Sequence, residues 1–245
     1  MIISVINLTR GKISDEQLQC AIRAVNRQIT DDFEPYWSFG GKLRLEGRTS
    51  GRPDKRHFSE MRGDAVLYLW DRIDAKDALG YHDKNDAGIP YGVVLTELGL
   101  DECWTVTFSH EALELLGDPQ CNLLVQGPDP RNRGRSVFHW FEMCDAVQDE
   151  TYEIDGVKVS NFVLPQYFTL GEQVGSRNDF LGLSHSGKTL RSFGVNPGGY
   201  VGFVDPRTGR NGTFEMDERA ALRHAAKRKA GATRSILRNK GAQMR

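Results

Sequence analysis

The sequence has few cysteines, almost no net charge and no long hydrophobic run, and each shortage excludes a class of protein. Four cysteines occur among 245 residues, and no two of them form a CxxC pair, so a zinc ribbon is not expected. The formal net charge is −1, so no overall field favours nucleic acid or a membrane surface. Cys20 and Cys103 fall in apolar helical patterns, which predicts packed, reduced thiols rather than disulfides.

Segments for export or membrane insertion are also missing. The N-terminal stretch MIISVINLTRGK has too short an apolar run for a signal peptide with a cleavage site. No later segment reaches the roughly 20 apolar residues that a membrane-spanning helix needs. We therefore predict a protein with no membrane partner, which works in the cytoplasm or is assembled into a larger particle.

The N-terminal part of the chain alternates strand and helix patterns. Residues Ile2 to Leu8 alternate and are rich in β-branched side chains, which predicts a strand. Ser14 is a suitable N-cap, and apolar residues recur at helical spacing from Leu18 to about Ile29. Further strands are predicted at Lys42 to Leu45 and Ala65 to Trp70, on either side of a long polar linker.

A short strand and an apolar helix are predicted next. Val93 to Thr96 reads as a strand, and the nearby Pro90 favours an edge position in the sheet. Asp101 can cap the following helix, which carries one apolar stripe. Gly117 suits a left-handed helix C-cap, and Pro119 prevents the helix from continuing.

Beyond Gln120 the chain is punctuated by glycine, asparagine and proline, and no long helix is expected before about residue 205. Short strands are predicted at Val137 to Met143, Val157 to Val163 and Tyr200 to Val204. The pattern as a whole predicts an α+β fold. We divide it into an N-terminal subdomain at residues 1–119, an irregular, β-rich subdomain at 120–215 and a basic tail at 216–245.

The segment TFSHEALELLGDP, residues 107–119, carries the most specific chemical pattern. Residues four apart lie on one face of a helix, so His110 and Glu114 can reach one ion. Glu111 lies about 100° round the helix and can hold a water bound to that ion. Catalytic zinc uses three imidazole or carboxylate ligands and a water. The pattern therefore predicts a zinc site, and a solvated polar helix face is the alternative.

These residues support a resemblance to a known family. The order of strand, helix, strands, edge strand and HE-bearing helix resembles the N-terminal half of zincin-fold metallopeptidases. HEALELLG is similar to the metzincin pattern in His110, Glu111 and Gly117. The resemblance implies a mixed, twisted sheet with two helices, zinc bound by His110, and Glu111 as the general base. It also implies that Gly117 turns the chain back towards the metal, and that a peptide substrate pairs with the strand at Val93 to Thr96.

The sequence departs from the metzincin pattern at two positions. Glu114 stands where a histidine is expected, and Gln120 stands where the third ligand would be. Other segments, such as ALGYHD at residues 78–83 and FEMCDAVQDETYEIDGVKVSNFVLPQYF at 141–168, are similar to those of uncharacterised zincin-like bacterial and phage proteins. This likeness covers roughly residues 1–205, and it implies no particular activity.

The third metal ligand has to come from outside the helix. Glu142 and Asp145 stand three apart in an otherwise apolar segment, where an unpaired carboxylate would be costly. Asp118 is a further candidate, although a carboxylate before a proline commonly accepts backbone hydrogen bonds at a helix end. We rank Asp145 first and Glu142 second. Met143, between them, is either a core residue or the counterpart of the methionine turn below a metzincin metal.

Two residues before the predicted edge strand are candidates for catalysis. Tyr81 and His82 lie in a Gly-Tyr-His-Asp turn, where either could stabilise a developing oxyanion. The alternative for His82 is a solvated loop histidine. His139, between Phe138 and Trp140, is interpreted as a core or strand-edge histidine and not as a ligand.

One further segment, GLSHSGKT at residues 182–189, has the GxxxxGKT spacing of a phosphate-binding loop. Such a loop requires a strand before it and a helix after it. The residues before it form a poor strand, and glycines and a proline interrupt the residues after it. We therefore do not predict nucleotide binding for this segment.

The C-terminal tail is locally cationic and carries no acidic residue from Arg219 onward. A solvated helix is one interpretation, and docking onto an acidic protein surface or a nucleic acid backbone is the other. The tail lacks interleaved aromatic residues, so base-specific nucleic acid binding is not expected. The candidate partner-binding residues are Arg223, Lys227, Arg228, Lys229, Arg234 and Arg238.

Two functions of different classes follow from the sequence. The first is a zinc-dependent hydrolase, with a peptide or protein as its substrate. The second is a structural protein of a larger assembly, such as a phage virion, that keeps a zincin-like scaffold and docks through its basic tail.

The second function predicts that the tail is required for assembly. Removal of residues 216–245 should abolish incorporation into the assembly, because the docking charges are lost. Co-sedimentation of full-length and truncated chains with the assembled particle measures this. Incorporation of the truncated chain would contradict a docking role for the tail.

Overall fold

A computed structural model describes residues 1–46, 63–71, 80–85, 88–96, 103–171 and 175–217. Within these ranges the chain is a mixed α+β protein, as its patterning predicts, with β-sheets of five, four and two strands. Asp101 and the basic residues of the tail lie outside the described residues. The helices that the structure describes include none that is long and apolar enough to cross a membrane.

The N-terminal strands build a five-stranded sheet in the order β2-β1-β3-β5-β4. Strands β1, β2, β3 and β5 run parallel, whereas β4 runs antiparallel to β5. The predicted bounds of the first three strands are confirmed. The strands are β1 (Ile2–Leu8), β2 (Lys42–Leu45), β3 (Ala65–Trp70), β4 (Gly80–Lys84) and β5 (Pro90–Leu95).

The predicted edge position of β5 is wrong, because β4 pairs along its outer side. The sequence around His82 was expected to be a turn, but it forms β4. Between the end of β4 and the start of β5, Asn85 N donates to the Ile89 carbonyl at 3.0 Å. Pro90 is the first residue of β5, a position where the missing N–H is tolerated.

Helix α1 (Asp15–Arg27) begins as predicted. The Ser14 side chain accepts from Gln17 N, and the Gln17 side chain accepts from Ser14 N, which completes a capping box. The apolar face of α1 is buried, and the helix continues as a π-helical stretch over Gln28–Phe33 and a single turn, α2 (Glu34–Trp37).

The HE-bearing helix, α3 (Trp104–Gly117), is buried on nearly every side and does not present one apolar stripe. Strands β4 and β5 pack against one side of α3, and a strand of the C-terminal half, β9 (Val157–Ser160), packs against it as well. A helix between layers has no solvent face, so its polar residues must find partners inside the protein.

Gly117 does not adopt the left-handed conformation that the sequence predicts. It is the last residue of α3, and the cap residue Asp118 has φ −135°. A Cβ at Gly117 would lie 2.8 Å from Met143 Sδ and closer still to Met143 Cε. Gly117 is therefore needed for the close packing of Met143, which is fully buried in the core.

The C-terminal half is β-rich, as predicted, and its described residues contain only single-turn helices. A four-stranded sheet has the order β11-β10-β7-β6, and β8 pairs with β9. No helix follows the GxxxxGKT segment within the described residues, as expected. The strands are β6 (Leu124–Asp129), β7 (Asn132–Trp140), β8 (Thr151–Ile154), β9 (Val157–Ser160), β10 (Tyr200–Asp205) and β11 (Arg210–Glu215).

One main hydrophobic core joins residues from both sides of the predicted subdomain boundary at 119/120. Val5, Leu67 and Phe108 from the N-terminal part belong to the same buried cluster as Met143 and Phe162. A smaller cluster around Ile6 and Tyr68 covers the opposite face of the five-stranded sheet. The boundary itself remains a prediction.

Replacement of Gly117 with alanine should destabilise the protein. Helix propensity alone would favour alanine by up to about 1 kcal/mol, but the new methyl group would overlap Met143. Overpacking of this kind costs about 1–3 kcal/mol. Denaturant unfolding measures the change, with Gly134→Ala as the control, since a Cβ there meets only Asn132 Oδ1 at 3.4 Å. An increase in stability for Gly117→Ala would contradict the packing argument.

Candidate metal centre

Six polar side chains from separate parts of the chain meet beside α3, and we call them the carboxylate–histidine cluster. Strand β4 contributes one histidine, α3 contributes a histidine and two glutamates, and the segment after β7 contributes two carboxylates. Each of the six residues is exposed by 9% or less. The members are His82, His110, Glu111, Glu114, Glu142 and Asp145.

The helical spacing places the first pair as the sequence predicts. His110 Nε2 lies 3.1 Å from Glu114 Oε1, one helical turn away. Glu111 lies on the neighbouring face of α3, and one of its oxygens lies within 4.8 Å of a Glu114 oxygen. The three residues point into the protein and not into solvent, so the interpretation of a solvated helix face is wrong.

Asp145 is the carboxylate that approaches His110 most directly among the three candidates. Asp145 Oδ1 lies 3.2 Å from His110 Nε2, and Asp145 begins the single-turn helix Asp145–Val147. Glu142 also belongs to the cluster, since Glu114, Glu142 and Asp145 each place an oxygen within 4.8 Å of the others. Asp118 instead accepts hydrogen bonds from Asn122 N and Leu123 N at the end of α3.

His82 is fully buried in the cluster, so it is not a solvated loop histidine. Its Nδ1 lies 3.4 Å from Glu111 Oε2 and 3.5 Å from Glu114 Oε2. Its Nε2 lies 3.7 Å from Glu142 Oε2. One imidazole from β4 thus faces three carboxylates.

Tyr81 is not brought together with these residues. Successive side chains of a strand point to opposite faces, so Tyr81 lies on the other face of the sheet from His82. There it packs beside Tyr91, with ring centroids 6.1 Å apart, against the smaller apolar cluster. Burial raises the pKa of the Tyr81 phenol, which therefore stays protonated at neutral pH.

Cys144 is a member of the site that our sequence reasoning missed. It is fully buried, and its Sγ belongs to a possible ligand group with His110 and Glu114. Its backbone N–H donates to Glu114 Oε1 at 3.3 Å. The signal for Cys144 in the sequence is its position between Glu142 and Asp145, the two candidate ligands. Cys20 and Cys103, which were expected to be packed, are exposed instead.

His139 is a core histidine, as predicted. It is buried, its Nε2 lies 2.8 Å from the Pro128 carbonyl oxygen, and its ring lies 4.8 Å from that of Phe193. Burial lowers the pKa of His139, so the ring is neutral at physiological pH. It takes no part in the carboxylate–histidine cluster.

The charge of the cluster favours a bound cation. It contains four carboxylates and only two imidazoles, so protonation of both rings would still leave an excess of negative charge. Buried carboxylates are costly unless they are paired or coordinate a metal. These buried histidine, glutamate and cysteine groups can hold a metal ion.

The distances around His110 fit metal coordination. Donors that lie about 2.0–2.2 Å from a tetrahedral metal are roughly 3.3–3.6 Å from one another. The separations of 3.1 and 3.2 Å from His110 Nε2 to Glu114 and Asp145 are close to this range. His110 is therefore close enough to both Glu114 and Asp145 to share an ion with them, and Glu114 also belongs to possible ligand groups with Cys144 and with Glu142.

Comparison with known proteins adds no assignment. No model of a known protein family matches this chain, and no curated protein matches it either. The interpretation of the cluster therefore depends on its geometry and chemistry.

Replacement of Glu114 with glutamine should stabilise the metal-free protein and abolish stabilisation by zinc. The change removes one of four crowded negative charges, and such relief at a functional site commonly adds about 0.5–2 kcal/mol. Bound zinc at 1,000 times its Kd would stabilise the wild-type protein by about 4 kcal/mol. Thermal unfolding with chelator and with zinc measures both effects.

The control is Glu153→Gln, which makes the same charge change at an exposed position of β8. Its free energy of unfolding should change by less than about 0.5 kcal/mol, and zinc should still stabilise it. Equal responses of the two variants would show that Glu114 does not bind the metal.

Proposed function

We propose that this chain is a zinc-dependent hydrolase of the zincin type, and that its substrate is a peptide or protein. The observation that carries the proposal is the convergence of Glu114 and Asp145 on His110 Nε2, at 3.1 and 3.2 Å, next to Glu111 on the same helix. A buried site of one imidazole and two carboxylates, with a further carboxylate alongside, has the parts that metal-assisted hydrolysis needs.

In this proposal His110, Glu114 and Asp145 would hold the cation, which would supply the Lewis acidity that polarises a carbonyl and lowers the pKa of a water to about 7. The burial of the three side chains would keep bulk water from competing for it. Glu111 accepts the proton of the attacking water and delivers it to the departing amine. A general base of this kind contributes roughly 10²–10⁴ in rate.

The sheet supports a peptide substrate. Strand β4 is an outer strand of the five-stranded sheet among the described residues, and it carries His82 beside the cluster. An extended peptide can add to such an edge by backbone hydrogen bonds. We therefore propose that the peptide substrate pairs with β4, and not with β5 as the resemblance implies.

One observation favours a second candidate function. All six cluster side chains are nearly inaccessible, and structural zinc sites are closed whereas catalytic sites keep a position for substrate. A structural component of a larger assembly, such as a virion, would use the same metal only to stabilise a zincin-like scaffold. Substrate turnover decides between the two functions.

Glu111→Gln should abolish peptide cleavage while the fold and the cation at His110 remain. Glutamine keeps the shape of the side chain but cannot accept the proton, so kcat/KM should fall at least about 100-fold. New amino termini in a mixture of peptides, detected by mass spectrometry, measure cleavage. A chelator should stop it and added zinc should restore it.

Glu153→Gln is the matched control, and it should cleave at the wild-type rate. Cleavage by Glu111→Gln would contradict the role of Glu111 as the base. If zinc-loaded wild-type protein cleaves no peptide at all, the proposed hydrolase is contradicted and the structural function is left as the candidate.

A further inference from the structure

The contacts of His82 define a second set of possible metal donors, which shares Glu114 with the set around His110. His82 Nδ1 lies 3.4 Å from Glu111 Oε2 and 3.5 Å from Glu114 Oε2. The same three residues form a group whose ligand atoms all lie within 4.8 Å of one another. The donors of both sets are buried. They come from β4, from α3 and from the segment after β7 that carries Asp145.

His82 Nδ1 makes a long hydrogen-bond contact with Glu111 Oε2 at 3.4 Å, and Glu114 Oε2 lies at nearly the same distance. A charge-assisted N–H···O hydrogen bond is about 2.7–2.9 Å long, and one N–H is directed at one acceptor. His82 Nδ1 instead has two carboxylate oxygens at nearly equal and longer distances. Neighbouring donors around a tetrahedral metal lie roughly 3.3–3.6 Å apart, which matches both.

Glu114 belongs to both donor sets, through different oxygens. Its Oε1 lies 3.1 Å from His110 Nε2, whereas its Oε2 lies 3.5 Å from His82 Nδ1. A carboxylate that offers one oxygen to each of two sites can bridge two cations. In two-metal hydrolases the cations are about 3.5–4 Å apart.

The geometry points to a dinuclear metal centre, in which Glu114 bridges a cation held by His110 and Asp145 and a second cation held by His82 and Glu111. The mixture of imidazole and carboxylate donors suits divalent zinc.

Strand β4 packs closely against Glu111 at Gly80. A Cβ at Gly80 would lie 2.7 Å from Thr107 Cγ2 and 2.9 Å from Glu111 Oε1, so a larger residue there would require these side chains to shift. With Oε1 packed against Gly80, the other oxygen of Glu111 faces His82. The pairing of His82 with Gly92 in β5 fixes the strand that carries the imidazole.

This inference rests on the proposed function and adds to one role within it. Besides passing the proton of the attacking water to the departing amine, Glu111 would also hold the second cation, and two cations together would supply the charge that lowers the pKa of that water. The roles of His110, Glu114 and Asp145 are unchanged.

The number of zinc ions per chain tests the inference. Full-length protein is stripped with a chelator, loaded with zinc, desalted and analysed for bound metal. We expect two zinc ions in the wild type, and one in both His82→Phe and Glu111→Gln, because each change removes a donor of the second position only. His185→Gln is the control and should keep two, since His185 pairs with Glu150 outside the cluster.

Anomalous diffraction at the zinc edge locates the ions. Two peaks about 3.5–4 Å apart, beside the two oxygens of Glu114, are expected. Folding of each variant is checked by circular dichroism, and Glu111→Gln decides the matter if His82→Phe does not fold.

The outcomes separate this inference from the proposed function. A single zinc ion in a wild-type protein that cleaves peptides would overturn the dinuclear centre and leave the hydrolase standing. Two ions in the wild type and also in both variants would place the second ion elsewhere and overturn the inference. No bound zinc in the wild type would overturn both proposals.

Discussion

The crowding of four carboxylates around two imidazoles inside the protein is the constraint on which the rest of the structure depends. Charges that repel one another and are withdrawn from water oppose folding, so the sheet and the β-rich half must hold them in place. Glu114 shows this most clearly, because it is fully buried and shared by all three possible ligand groups. Under the proposed function, the stability of the protein would be coupled to metal binding, since binding energy at a preformed site adds to the free energy of folding.

The burial of α3 follows from the same constraint. A surface helix could present His110 and Glu114, but it could not surround them with further donors. Strand β4 supplies His82 from the sheet, and the segment after β7 supplies Asp145. The close fit of Gly117 against Met143 brings the end of α3 to the same segment that carries Asp145. The contacts that pack α3 into the protein therefore also bring the candidate ligands together.

The sequence predicts the parts of this arrangement that depend on local interactions. The capping box at Ser14 and the pairing of His110 with Glu114 follow from residues within one helical turn, so they could be found by spacing alone. Strand β4 could not be found in this way. Turn residues at both ends of GYHDK obscure a strand that forms only by pairing with β5. Asp145 could be ranked by the cost of burying its carboxylate, whereas Cys144 carries no such signal.

In the proposed hydrolase, the substrate has to reach a cluster that is buried. Exclusion of water strengthens every electrostatic interaction around the cation, but hydrolysis also needs an open coordination position. Strand β4 offers a way to reconcile the two needs, because it is an outer strand of the described sheet and carries His82. A peptide paired with β4 would run about 4.7–4.9 Å from that strand.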